Sequence, residues 1–215
     1  MEEFTGLDIG RTQRDLAQFE NSYMAVVGKM QNTFSVFFDV LATKWASANA
    51  VSFKNYYAPK AEKIVNDFGN HASRILSGAE SAARSLAQSN GMGFSAMYQL
   101  SPGITQSFAT AYGENTKESI NGVTGMAVQN VRLALEHFEA NVRNITNALN
   151  ELPKGIAFYS PDGALLSSYS ANIGSLAAEF ESVCTEMSTG IKSYMETEID
   201  NILLAKEQAQ SIMNG

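Results

Sequence analysis

Two histidines, one cysteine and 22 acidic residues are among the side chains of this 215-residue chain with the chemistry to bind a metal or attack a substrate. Their spacing argues against both. A zinc site needs about four nitrogen or sulfur ligands brought together, and His71, His137 and Cys184 are far apart in sequence with no second cysteine. His71 lies beside Ala72 and His137 beside Phe138, so each reads as a boundary or solvated residue of an apolar-striped segment. Cys184 follows Val183 and reads as a small buried side chain, since a nucleophilic thiolate needs an activating neighbour that the sequence does not supply. The carboxylates come in close pairs, Glu136 and Glu139, Glu179 and Glu181, Glu196 and Glu198. They lack the Glu-x-x-His spacing of carboxylate-bridged metal bundles and read as solvated faces. The expectation is no catalytic residue, no cofactor and no metal.

Two other spacings stand out. The only tryptophan, Trp45, lies in the stretch TKWASANAVSF between two long apolar-periodic segments, where a turn belongs. An indole there either closes the end of a core or offers an aromatic anchor to a partner. Tyr194 is followed four residues later by Glu198, and none of the other seven of the eight tyrosines has an acidic residue at that offset. On a helix that offset puts ring and carboxylate on one face.

The elements that position these residues follow from periodicity. Apolar residues recur at steps of three and four from Leu16 through Phe19, Tyr23, Val26, Met30, Phe34 and Phe37 to Leu41, which is the stripe of an amphipathic helix. Phe38 lies off that stripe and would widen the face. A second stripe runs from Tyr57 to Leu86, a third closes from Phe138 to Leu152, and a fourth runs from Tyr169 to Ile202. No comparable stretch alternates with period two, so the predicted class is all-α. Asn90, Gly91 and Gly93 stop the second segment, Pro102 and Gly103 lie in the connection beyond it, Asn115 or Thr116 can cap the third, and Pro153 with Gly155 ends it. The stretch YSPDG, Tyr159 to Gly163, is turn chemistry before the fourth. A helix from Thr12 to Lys44 is about 50 Å long at ~1.5 Å per residue, and single-stripe helices of that length must pack side by side.

An offset of 112 residues maps apolar onto apolar: Leu16 onto Val128, Tyr23 onto Leu135, Phe53 onto Leu165, Tyr57 onto Tyr169, Phe68 onto Phe180. The register survives the inter-helix turn without a gap, which implies two copies of a helical hairpin. The expected organisation is a first hairpin over 1–90, a connecting segment over 91–113 and a second hairpin over 114–215. A long glycine- and proline-bearing connection suits hairpins laid antiparallel, because the chain must cross the length of the bundle. That arrangement places the Trp45 turn beside the later part of the last helix.

The balance of charge removes whole function classes. A net charge of −7 without a lysine or arginine cluster opposes general nucleic-acid binding, which needs a basic stripe, and anionic lipid would repel the same surface. No 18-residue apolar run is present, so no membrane span is expected. The acidic start MEEFTGLDIGRTQRDL has no apolar h-region, and no cleavable signal peptide is expected.

A hairpin of about 100 residues, a tryptophan in its turn and no signal peptide resemble the WXG family of ESAT-like proteins, substrates of the bacterial type VII secretion system. Trp45, Ala46 and Ser47 stand at the family's Trp-any-Gly positions, with serine in place of glycine. In the second copy Ala157, Phe158 and Tyr159 occupy the equivalent places and the motif is lost. Tyr194 and Glu198 match the family's carboxy-terminal export motif. The resemblance implies a non-enzymatic secreted or cell-surface bacterial protein, an antiparallel four-helix bundle formed as an intramolecular pseudo-dimer and monomeric as such. Its partners would be a type VII secretion ATPase or other machinery and a co-secreted effector or toxin that it pairs with or chaperones. The rival expectation is an intracellular amphipathic helical scaffold or coat protein.

Overall fold

The computed structural model describes residues 6–89, 91 and 115–214. Most of the connecting segment expected at 91–113, including Gly93, Pro102 and Gly103, therefore lies outside the described residues. Helix α1 spans Ile9–Lys44, strand β1 Trp45–Ala46, helix α2 Ala48–Ser89, strand β2 Gly125–Met126, helix α3 Val128–Glu151, strand β3 Gly155–Tyr159, strand β4 Leu165–Ser170 and helix α4 Gly174–Asn214.

The helix ends follow from side-chain chemistry. Asp8 caps α1, its carboxylate accepting from the Arg11 N–H at 2.8 Å, which satisfies one of the orphan donors of the first turn. Ser47 caps α2, its hydroxyl accepting from the Ala50 N–H at 3.1 Å. Ser47 thus has a local reason to be there. Helix α3 stops at Glu151, ahead of Pro153, which cannot supply a helical N–H. Asn172 accepts from the Gly174 N–H at 3.0 Å at the start of α4.

Helix α1 packs on α2 and α3, and α4 packs on the same two. Strands β1 and β2 pair antiparallel, Trp45 opposite Met126, so the end of α1 lies beside the start of α3. At the other end the Asp8 N–H donates to the Tyr159 carbonyl at 2.7 Å. Helices α1 and α3 are therefore antiparallel. Along α2 and α4, Tyr57 meets Gly190 and Lys63 pairs with Glu179, so these two are antiparallel as well. An aromatic cluster holds the middle: Phe37 stacks on Phe138 at 4.4 Å and Phe34 meets Phe180 edge-on at 6.1 Å.

The contacts repeat across the molecule. Tyr57 of α2 lies over Gly190 of α4, while Tyr169 lies over Gly78 of α2; the offset of 112 relates the two tyrosines and also the two glycines. The N–H of Ala127, ahead of α3, donates to the Lys44 carbonyl at 2.8 Å, much as Asp8, ahead of α1, donates to Tyr159. Each inter-helix connection thus holds the start of the other half's first helix.

Several expectations need correction. The chain is mostly helical but not all-α, because two small antiparallel sheets accompany the four helices among the described residues. One joins β1 to β2 and the other β3 to β4. The ungapped register fails locally: Phe53 is buried in α2, whereas its mate Leu165 is 63% exposed on β4. The turn YSPDG closes the β3–β4 hairpin rather than leading directly into a helix, and α4 begins only at Gly174. Neither Asn115 nor Thr116 caps α3, which starts at Val128 behind a tight turn. There Ile120 and Val123 exchange backbone bonds of 2.9 and 3.0 Å around Asn121 and Gly122, both at positive φ. Phe38 lies 6.5 Å from Phe53 of its own α2. The fourth stripe leaves the core before its expected end, Ile202 being 46% exposed.

Candidate functional site

The residues singled out by type and spacing meet at one end of the molecule. Trp45 ends α1 in extended conformation, φ −142° and ψ 119°, which swings its indole across the helix ends. The ring is 1% exposed and packs against Phe53 of α2 at 5.7 Å and Tyr194 of α4 at 5.1 Å. Tyr194 also meets Phe53 edge-on at 6.1 Å. The indole is a plug, and the reading of a partly exposed anchor at the tip is overturned. Its Nε1 is buried and finds no hydrogen-bond partner, a cost accepted for the packing of the large ring.

The accessible surface lies beside the indole. Glu198, one helical turn beyond Tyr194, lines an open cleft of about 460 Å³ together with Lys44, Ala46, Val123, Met126 and Ile202. Its walls come from the end of α1, the stretch before α3 and the later part of α4. The cleft is apolar with a cation and a carboxylate among its lining residues, so it suits a chain segment carrying an apolar side chain better than a small polar substrate. Ala46 is buried and Ser47 half-buried, the latter engaged in capping α2. Beyond Asp200 the residues 201–213 of α4 are all exposed, including Leu203 at 51%, Leu204 at 53% and Ile212 at 82%. An apolar-bearing helix end thus continues from the cleft into solvent.

The chemically capable residues are dispersed. Cys184 is buried, and burial pushes its thiol above the ordinary value, the opposite of an activated thiolate. His137 is exposed, and His71 lies half-buried on α2 with Nε2 unpartnered. Burial, then the nearby Arg74 charge, lowers the His71 pKa, while the Asn172 backbone pulls the other way. The carboxylates serve as surface ion-pair partners: Glu186 with Lys60 at 2.8 Å, Glu179 with Lys63 at 2.9 Å, Glu139 with Lys192 at 2.7 Å. These pairs join α2 or α3 to α4, and the hydrogen bond from Lys60 lowers the Glu186 pKa. Among the described residues, no group of three or more histidine, cysteine or acidic side chains is placed to hold a metal ion. No described helix is long and apolar enough to cross a membrane.

The opposite end carries a second aromatic closure. Arg11 stacks over the Tyr159 ring at 3.5 Å, and Ile156 and Phe158 of β3 are buried at 3% and 0% exposure. Sequence reasoning missed this strand, although the alternation of buried Ile156, Phe158 and Ser160 ahead of Pro161-Asp162-Gly163 is a hairpin signal.

No protein-family model, no curated protein and no solved structure matches the chain.

Proposed function

We propose that the chain is a tandem helical-hairpin protein of the kind the WXG resemblance suggests, non-enzymatic and exported by a type VII secretion system. In this reading the four helices form an antiparallel four-helix bundle in which the two hairpins act as an intramolecular pseudo-dimer. The paired Tyr-over-Gly contacts at the same offset of 112 residues support it, because reciprocal contacts of this kind are what a two-fold interface produces.

The observation that carries the functional part is the meeting of Trp45 with Tyr194 at 5.1 Å, with Glu198 on the adjoining cleft. Residues far apart in sequence, and matched separately to the family's turn motif and export motif, lie together at one end of the molecule. The signal is then composite: the Trp45 turn fixes the pose of α4, and Tyr194, Glu198 and the exposed end of α4 are presented to a secretion ATPase or a co-exported effector. One indole suffices because only one end carries the acidic partner.

The test must separate export from folding, since Tyr194 is half-buried against Trp45. In a bacterial host with a type VII system, Glu198→Gln should leave the melting temperature unchanged and reduce the protein in the culture medium at least about tenfold, the range lost when a central contact is removed. Tyr194→Phe keeps the ring and reports on the hydroxyl alone. Normal export of both variants would sink the composite signal. Absence of the wild-type protein from the medium would favour the intracellular scaffold.

A further inference from the structure

The β3–β4 hairpin has an edge that resembles an unfinished sheet. The Ala171 N–H donates to the Lys154 carbonyl at 2.9 Å, and the ladder continues with Tyr169 opposite Ile156 and Ser167 opposite Phe158. Bonding alternates along an antiparallel strand, so Ser167, Tyr169 and Ala171 turn their backbone groups toward β3. Ser168 and Ser170 turn theirs outward. Both are exposed, and their outward N–H and C=O groups meet no partner among the described residues. Tyr169 is held on the inner face against Gly78 of α2, so the helix supports the strand from one face and leaves the edge open.

Edges of this kind are normally blunted by charge, proline or a covering element. Here no charged residue and no proline occurs between Asp162 and Glu179. The window is neutral on a chain with a net charge of −7, so it is a place where two copies can approach without stacking like charges. A two-stranded sheet is also marginal by itself and gains from added strands.

We propose that β4 pairs edge to edge with β4 of a second copy of this chain. The pairing is antiparallel about a two-fold axis at Tyr169, with Ser168 opposite the Ser170 of the other copy. That register avoids the irregularity between Phe158 and Tyr159 and makes β3–β4–β4–β3 one four-stranded sheet. The interface is self-complementary, as a two-fold contact requires. It joins two bundles that are each complete within one chain, so the association is reversible and the folded monomer persists on dilution.

Sedimentation velocity of the full chain, from micromolar to millimolar concentration, tests this. The wild-type protein should form a dimer that strengthens with added salt as the like charges are screened. Ser168→Pro removes an N–H that makes no bond among the described residues, so circular dichroism and thermal melting should be preserved while the dimer Kd rises at least about tenfold. Should that variant fold poorly, Ser170→Asp keeps the donor and sets a carboxylate into each half of the edge, with the same weakening expected and relieved by salt. A chain that stays monomeric throughout the range overturns the proposal, as does a dimer that the folded variants leave intact.

Discussion

Between α1 and α2 the chain reverses through Trp45, Ala46 and Ser47, whereas between α3 and α4 it takes residues 152–173 and builds two strands. The connections face the same physical problem. Helix ends leave backbone groups unpaired and the core open, and something must cover both. The short turn solves it with one large ring, buried to 1% exposure, and a serine cap. The long one distributes the task over Ile156, Phe158 and the Arg11–Tyr159 stack. A closure held by one residue is more vulnerable than one shared among several.

The largest expected effect follows from that difference. Trp45→Ala should cost near the upper end of the about 3–5 kcal/mol typical of large buried aromatics, because the three-residue turn cannot move inward to fill the space. Phe158→Ala should fall near the lower end of the same range, since a hairpin between longer connections can settle into the cavity. Urea denaturation of the two variants measures both. Equal costs would break the comparison and make the two closures equivalent.

A middle-sized effect separates the two Tyr-over-Gly contacts. A methyl group at residue 78 would fall on the Tyr169 ring, whereas one at residue 190 meets the Tyr57 hydroxyl at 3.2 Å. Gly78→Ala should destabilise by about 1–2 kcal/mol, a usual overpacking cost. Gly190→Ala should change stability by less than about 0.5 kcal/mol, the helix propensity gained offsetting the tighter contact. In a Tyr169→Ala background, Gly78→Ala should become stabilising by up to about 1 kcal/mol. If the cost at 78 persists without the Tyr169 ring, the contact is not its cause.

The helices were legible because each keeps a stripe at steps of three and four for many turns, and no strand competes at that length. The ends were legible where a side chain acts locally, as with Pro153 after α3. What was missed is short or non-local. Strands β1 and β2 have two residues each, too few to show a period, and they exist because the Trp45 turn meets the stretch before α3. The β3–β4 hairpin was hidden because Tyr169, Ile173 and Leu176 continue the helical spacing of α4 backward into a strand. The Asn121-Gly122 turn carries a two-residue hairpin signal, but the single bridge it closes, Ile120 to Val123, has no flanking alternation to mark it as a hairpin. Sequence placed Trp45 at a turn and Tyr194 with Glu198 on one helix face. Whether the indole was buried could not be read, since that depends on which helix lies across it.

The smallest effect compares His71 with Val183, which lies at the equivalent place 112 residues on. Both sit on the helix that follows their hairpin's turn, and Val183 is buried at 8% exposure. His71 is half-buried with Nε2 unpartnered, and its pKa is lowered chiefly by burial, with the Arg74 charge adding to the shift. A group whose folded value lies below its unfolded value binds a proton more readily when the chain is unfolded. Stability linked to His71 is therefore fully present above the ordinary imidazole value of about 6.5. It falls as the pH drops through that value and levels off below the folded pKa. The group is only partly shielded from solvent, so the change is a fraction of what a fully buried imidazole would give. His71→Val copies the residue of the second half and should remove this component. Denaturant midpoints of wild type and variant, measured between about pH 5 and 8, should then differ in slope below about pH 6.5 and run parallel above it. Parallel lines over the whole window would mean that the imidazole titrates alike in both states, and the two halves would not differ in their response to acid at this position.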